Sequence, residues 1–332
     1  MEVRLPLVSV ACALHDASQI GEARRLARRL AVEAGLAEPD AERAALVVSE
    51  AARNALVHGG GGEVVLRAVG GGAVGPALEI LALDRGPGIA DVEAAMRDGY
   101  STAGTAGHGL GAIARQAQAF EVHTRPGGGV ALYARVGAAE GPAGVVCLPM
   151  RGERACGDGW AVRREGRRSL FLVVDGLGHG AAAADASAAA VAALERAPDS
   201  SVVDVLERIH GALRATRGAA VSVLEVIAGA PVARYGGIGN VSGSIWSAGG
   251  VRRMVSLPGT AGHVVRRIQA FDYEWPDDGL LVLHSDGLAG HFDLSPASGL
   301  ARRHPALVAG VLYRDHARGR DDVTVLVARR PA

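Results

Sequence analysis

Along the first third of the chain, apolar residues recur three and four apart over 17–35, then again from Pro39 through Leu56 to His58. That period predicts two helices, the second opened by Pro39 and Asp40 and stopped by the glycines at 59–62. The pattern then switches to a period of two: residues 63–69 and 77–83 read as strands joined by a glycine-rich hairpin. An extended start at 3–14, a short helix at 91–96, a helix from Gly109 to about 119 and a hairpin of 120–124 with 130–136 complete this part. Helices over an antiparallel sheet make an α/β sandwich. Residues 138–144, poor in large apolar side chains and containing Pro142, read as a linker.

Beyond the linker the chain is richer in strands. Runs at 161–164 and 169–174 precede helices at 181–196 and 200–216 and a meander at 221–227, 232–235, 244–246 and 251–254. A strand at 280–284, a helix around 297–313 and a last strand after Asp321 and Asp322 close the pattern. A chain of 332 residues exceeds one ordinary core, so two domains are expected, 1–137 and 145–332, flanking the linker.

Composition narrows the functional classes. The 35 basic and 35 acidic residues leave no net field for nucleic acid or an anionic membrane, and neither is expected as a partner. Cys12, Cys147 and Cys156 lack Cys-x-x-Cys spacing and read as free thiols of a reducing cytoplasm. No signal-peptide core follows Glu2 and Arg4, and Gly, Pro or charge interrupts every long apolar run, so a cytoplasmic location is expected.

Candidate chemistry in the first half lies in three places. Glu50 and Asn54, four residues apart on the second helix, share one face. Such a pair can hold Mg²⁺ through the amide oxygen of Asn54 and use Glu50 to take a proton or order a water; an exposed polar stripe is the alternative. Asp84, with Gly86 and Gly88, ends a strand where a buried carboxylate can accept from an exocyclic amine such as that of adenine; a plain turn is the alternative. The loop Gly104, Gly107, His108, Gly109, Leu110 and Gly111 leads its amides into a helix N-terminus, which suits phosphates.

In this order, the three places resemble the motif boxes of the GHKL ATPase superfamily. The runs Val48-Ser-Glu-Ala-Ala-Arg-Asn54 and Asp98-Gly-Tyr-Ser-Thr102 are similar to those of RsbT-like serine kinases, relatives of the anti-sigma factor kinases. The resemblance implies a GHKL (Bergerat-type) sandwich binding ATP with Mg²⁺ on Asn54, adenine read by Asp84, a lid at 104–111, and Glu50 activating a protein serine hydroxyl. His108 departs from the pattern, where a small residue is usual.

In the second half acids stand at strand ends: Asp158, Asp175 in Asp175-Gly-Leu-Gly-His-Gly180, Asp286, and the pair Asp321 and Asp322. Carboxylates gathered without balancing cations in their motifs repel one another, so a divalent cation is their natural occupant. All-oxygen donors favour Mg²⁺ or Mn²⁺ over zinc. These motifs resemble the metal-dependent serine/threonine phosphatases of the 2C type, in their SpoIIE-like branch, and more closely the RsbX-like enzymes through Cys156-Gly-Asp158, Arg217-Gly-Ala219 and Gly239-Asn-Val241. That resemblance implies an α+β sandwich flanked by helices. Two Mn²⁺ or Mg²⁺ would sit on Asp158, Asp175, the Gly176 carbonyl, Asp286 and Asp321, which is favoured over Asp322. His179 is read as a satisfied structural histidine.

The expectation is a bifunctional switch regulator of a bacterial stress-response pathway. Its first half phosphorylates a Ser or Thr of a STAS-domain protein, a stressosome scaffold or anti-anti-sigma factor, and its second half removes phosphate; a downstream phosphatase or sigma-factor regulator is a further expected partner. The alternatives are a first half that uses ATP only to bind, or a non-catalytic scaffold.

Overall fold

The computed structural model describes residues 8–70, 75–96, 109–140, 143–295 and 299–331. The chain separates into two compact units, Met1–Gly141 and Pro142–Ala332. Among the described residues no helix is long and apolar enough to cross a membrane.

In the first unit the strands β1 (Val10–Leu14), β2 (Gly62–Val69), β3 (Ala77–Leu83), β4 (Ala119–Thr124) and β5 (Val130–Gly137) form one antiparallel sheet in the order β1-β2-β3-β5-β4. Alternation sends Val64, Leu66, Leu78, Ile80, Leu132 and Ala134 into one core with the helices α1 (Ser18–Glu33), α2 (Glu38–Gly59) and α4 (Gly109–Gln116). The helix α2 buries a small-residue face that includes Ala41, Ala44, Ala51, Ala52 and Ala55, which lets it lie close on the sheet. It stops at Gly60, whose φ of 72° is the left-handed cap that glycine adopts without strain. The short α3 (Val92–Ala95) is capped by Asp91, which accepts from the Ala94 amide at 2.8 Å.

The second unit holds two five-stranded antiparallel sheets, β13-β10-β9-β8-β7 and β12-β11-β14-β15-β6. The first comprises β7 (Asp158–Glu165), β8 (Arg168–Gly176), β9 (Ala219–Ile227), β10 (Val232–Ile238) and β13 (Phe271–Glu274). The second comprises β6 (Gly144–Leu148), β11 (Ser242–Ser247), β12 (Gly250–Arg253), β14 (Leu280–His284) and β15 (Val323–Arg329). Helices α5 (Ala181–Glu195) and α6 (Val202–Ala212) cover the first sheet through Leu170, Leu172, Val174, Val221 and Val223, while α7 (Pro305–His316) packs on β6 and β15. Both units therefore have the expected classes, an α/β sandwich and a β-sandwich flanked by helices.

Some expected elements change. Gly144, read as the last linker residue, opens β6, a five-residue strand buried throughout and absent from the pattern reading. The strand β13 is likewise additional. The helix expected at 297–313 begins at Pro305, because the residue before a proline is driven out of the helical region; His304 stands at ψ 136° and its ring accepts from the Ala306 amide. The helix expected to reach 216 ends at Ala212 and continues as a 3-10 turn, Leu213–Ala215. The three cysteines are free thiols, all buried.

Candidate functional site

In the first unit, α2 carries the site along one face. Glu50 and Asn54 are both half-buried. A methyl group at Gly109, the first residue of α4, would stand 3.6 Å from the Asn54 amide, so the α4 N-terminus opens beside that side chain. One turn beyond, the end of α2 meets the Asp84 turn: a methyl at Gly86 would fall 2.6 Å from the Gly59 Cα, which only glycine permits. Asp84 is 6 % exposed, and its Oδ1 accepts from the amides of Gly86 at 2.9 Å and Val130 at 3.1 Å, which fixes the carboxylate. Thr124, which the sequence reading did not single out, pins the same turn: its Oγ1 accepts from the Ile89 amide at 2.9 Å and donates to the Gly129 carbonyl at 3.1 Å. Gly88 stands in this turn, and Leu110 and Gly111 are buried in the first turn of α4. Gly104, Gly107 and His108 lie outside the described residues. A groove lined by Leu46, Glu50, Ala112 and Arg115 runs between α2 and α4.

In the second unit the register of β7 and β8 places Asp158 directly opposite Asp175. Residues paired across an antiparallel ladder share a face. Parity puts both acids on the face away from α5 and α6, since Ala161, Leu172 and Val174 point to those helices. The second sheet brings its own acids there from the end of β14 and the start of β15. The Ser285 hydroxyl donates to Asp158 Oδ2 at 2.6 Å and accepts from the Thr324 amide at 2.9 Å, and the Asp286 amide reaches Asp175 Oδ2 at 3.4 Å. Asn240 donates to Asp286 Oδ2 at 2.6 Å. Asp322, 2 % exposed, accepts from the Met150 amide on Oδ1 at 2.7 Å and the Gly157 amide on Oδ2 at 2.8 Å. Asp321 is half-exposed and accepts from the Asp322 amide at 2.9 Å. Gly287 packs on the same segment so closely that a methyl there would fall 1.9 Å from the Asp322 carbonyl oxygen.

The acids of this edge shift one another's pKa values. Burial, followed by the charge of Asp175, holds the Asp158 carboxyl well above the usual range. Burial and the nearby Asp286 push Asp175 up to about 7, against the opposing hydrogen bond from the Asp286 amide. Asp286 is raised by burial and Asp321, with Arg318, the Asn240 hydrogen bond and Arg320 opposing; Asp322 is raised by burial, with the Met150 and Gly157 amides opposing. None of the five acids forms an ion pair with arginine among the described residues.

Among the described residues no three Asp, Glu, His or Cys side chains already stand gathered around one point as a closed ligand set. The donor chemistry nonetheless fits a hard divalent cation: the donors are oxygens, the acids raise one another's pKa values, and Asp286 and Asp321 are half-exposed. His179 lies at the lip, its Nδ1 2.7 Å from Glu153 Oε1. The pairing of Glu153 with His179, the Asn240 bond and the Ser285 bond had not been foreseen as roles; the motifs around Asn240 and Ser285 were the available signal.

A helix face bearing acid and amide beside a helix N-terminus, and a carboxylate edge on a two-sheet sandwich, define an ATPase fold and a metal-dependent phosphatase fold in one chain. Residues 14–134 match the histidine kinase-like ATPase domain and residues 165–331 the stage II sporulation protein E (SpoIIE) family. The chain belongs to the SpoIIE family through its second half and to the histidine kinase-like ATPases, on the RsbT side, through its first. The serine/threonine-protein kinase RsbT of Bacillus subtilis (strain 168) is 37% identical over 113 residues, 34% of this chain and 84% of the kinase. The phosphoserine phosphatase RsbX of the same organism is 27% identical over 144 residues, 42% of this chain and 71% of the phosphatase. A solved structure from the bacterial stressosome, a modular system adapted to control secondary messenger signalling, aligns with a TM-score of 0.53 at 29% identity, covering 57% of this chain and 98% of that one.

Proposed function

We propose that the chain is a bifunctional switch enzyme: residues 1–137 transfer phosphate from ATP to a Ser or Thr of a STAS-domain protein, and residues 145–332 hydrolyse a phosphoserine or phosphothreonine. The observation that carries this reading is the convergence of acids from separate segments on one sandwich edge, in a chain that also sets Glu50 and Asn54 beside the α4 N-terminus. Similarity to a kinase over one half and to a phosphatase over the other supports it.

In the first half, Asn54 would hold Mg²⁺ with the nucleotide, and Asp84, fixed by two amides, would accept from the adenine amine. The amides at Gly109, Leu110 and Gly111 favour negative charge at the helix N-terminus, and Glu50 takes the proton of the attacking serine hydroxyl. Gly104, Gly107 and His108 complete the phosphate loop in this proposal.

In the second half, Asp158, Asp175, the Gly176 carbonyl, Asp286 and Asp321 would hold two Mn²⁺ or Mg²⁺. When bound, such ions lower the pKa of a water and clamp a phosphoryl group. The chain's own contribution is orientation. Ser285 fixes the Asp158 carboxylate, Asn240 fixes Asp286, and Asp322 uses both oxygens to tie the start of β15 to the segment before β7. In this reading Asp322 organises the edge, and Asp321 faces the ion.

The test uses the full chain, a candidate STAS-domain protein and two variants. Glu50→Ala is expected to abolish incorporation of phosphate from ATP, and Asp175→Asn to abolish its Mn²⁺-dependent release. Release by Asp175→Asn at the wild-type rate would refute the phosphatase assignment; incorporation by Glu50→Ala at the wild-type rate would refute that of the base.

A further inference from the structure

Beside the carboxylate edge runs a rim made of three segments tied by backbone hydrogen bonds. The Leu177 amide donates to the Gly218 carbonyl at 3.0 Å, and Ala219 and Ala261 exchange bonds of 3.0 and 2.9 Å. The Thr260 amide donates to the Val264 carbonyl at 2.9 Å, and the His263 ring lies 2.8 Å from the Arg217 carbonyl. The turn after Asp175 is thereby locked to Arg217 and to the 260–264 loop.

Two properties of this rim have no part in holding metal or fold. Val264 is 70 % and Leu177 56 % exposed, the two most exposed large apolar side chains among the described residues. Exposed aliphatics are ordinary when scattered, but these two stand on one rigid rim at the mouth of a site. The second property is charge. The Arg217 guanidinium lies over the metal-side turn, its Nη1 3.2 Å from where a methyl at Gly178 would stand, and among the described residues it has no ion pair or side-chain hydrogen bond. Segments 213–219 and 256–268 also carry the exposed Arg214, Arg266 and Arg267 and contain no Asp or Glu. In a chain whose charges balance overall, this is a local basic and apolar rim on an acidic site.

We propose that the rim is the docking platform for a phosphorylated protein segment that carries acidic and apolar residues beside its phosphoserine or phosphothreonine. Arg217 receives phosphoryl oxygens, for which a guanidinium offers paired donors. Val264 and Leu177 cover an apolar neighbour, and Arg214, Arg266 and Arg267 attract acidic flanks. The inference rests on the phosphatase reading and adds to it the chemistry of the substrate segment. A rim of loops whose Arg217, His263 and Val264 are exposed suits an extended peptide.

The experiment compares three substrates with the full-length protein and Mn²⁺: p-nitrophenyl phosphate, a phosphoserine peptide flanked by Leu and Asp, and one of equal length flanked by Gly and Ser. The wild type is expected to prefer the Leu/Asp peptide about ten-fold in kcat/KM, chiefly through KM. Val264→Ser, at a position too exposed to disturb folding, raises KM for that peptide several-fold and leaves p-nitrophenyl phosphate hydrolysis unchanged. Arg266→Glu with Arg267→Glu reverses the preference for acidic flanks. Equal KM for the two peptides in the wild type, or an unchanged KM in Val264→Ser, would overturn the proposal. Absence of hydrolysis of all three substrates would remove the phosphatase reading itself, and the rim with it. Binding of the wild type to phosphatidylserine vesicles that Val264→Ser abolishes, with peptide KM unchanged, would assign the rim to a membrane and overturn the peptide.

Discussion

Each unit buries acids in its sheet, and the two do so in opposite ways. In the first, Glu79 on β3 is met by Arg67 on β2, whose Nε donates to Oε2 at 2.8 Å, with the Tyr133 hydroxyl donating to Oε1 at 3.3 Å. Glu79, Arg67 and Tyr133 are 3 %, 4 % and 0 % exposed. In the second, Asp158 on β7 meets Asp175 on β8, another acid, and Asp286, Asp321 and Asp322 raise Asp175 further. A buried acid whose cation comes from the next strand belongs to the architecture. In the proposed function, a buried acid whose neighbours are acids serves a cation from outside the chain.

Removing charge from each unit separates the two arrangements. The largest expected effect is on chemistry: Asp175→Asn lowers Mn²⁺-dependent phosphate release by about 100-fold or more and leaves ATP-dependent phosphorylation intact. Separate assays of the two activities check this. On stability the two units respond with opposite sign. Glu79→Gln removes the buried carboxylate to which Arg67 donates and costs about 3 kcal/mol, whereas Asp175→Asn removes a repulsion and stabilises the metal-free protein by about 1 kcal/mol. Denaturant unfolding in the presence of a chelator reads both; equal signs would dissolve the distinction.

A smaller effect is expected at Ser285. Its hydroxyl donates to Asp158, so Ser285→Ala is expected to weaken Mn²⁺ binding about 10-fold to 100-fold, while Ser285→Thr, which keeps the donor, recovers part of the loss. The smallest is a dependence on pH. Asp175 is pushed up to about 7 in the folded protein, above its unfolded value, so its contribution to stability is fully present at low pH and is lost as pH rises through about 7. The metal-free protein therefore loses stability between about pH 4 and pH 7 on account of this group. Added Mn²⁺ raises Tm more at pH 8 than at pH 5.5. A metal-induced Tm shift that grew as pH fell would contradict the sign.

Much of both sites was legible because the signals were local. Glu50 and Asn54 share a helix face by spacing alone, and an acid followed by glycine after an apolar run marked Asp175 and Asp286 as strand-end turns. Asp158 opposite Asp175 followed from a hairpin whose register the turn sets. The strand β6 escaped notice because Gly144–Leu148 is buried throughout, so it shows no alternation and abuts the linker-like run before it. The strand β13, Phe271–Glu274, is short and half-exposed, and it exists because β10 offers it a register. The role of Asp322 was hidden for another reason. It accepts amides from Met150 and Gly157, more than 160 residues earlier in the chain, and no periodicity reports such a contact. His179, read as a satisfied structural histidine, pairs with Glu153 at the lip of the site, 51 % exposed.

The central claim is that the acids at the edge of the second unit await a divalent cation. Calorimetric titration of nucleotide-free protein with Mn²⁺ tests it most directly, on the wild type and on Asp158→Asn and Asp175→Asn. Saturable binding is expected for the wild type and its loss in both variants, with Glu79→Gln binding as the wild type does. Absence of binding to the wild type, or undiminished binding to Asp175→Asn, would contradict it.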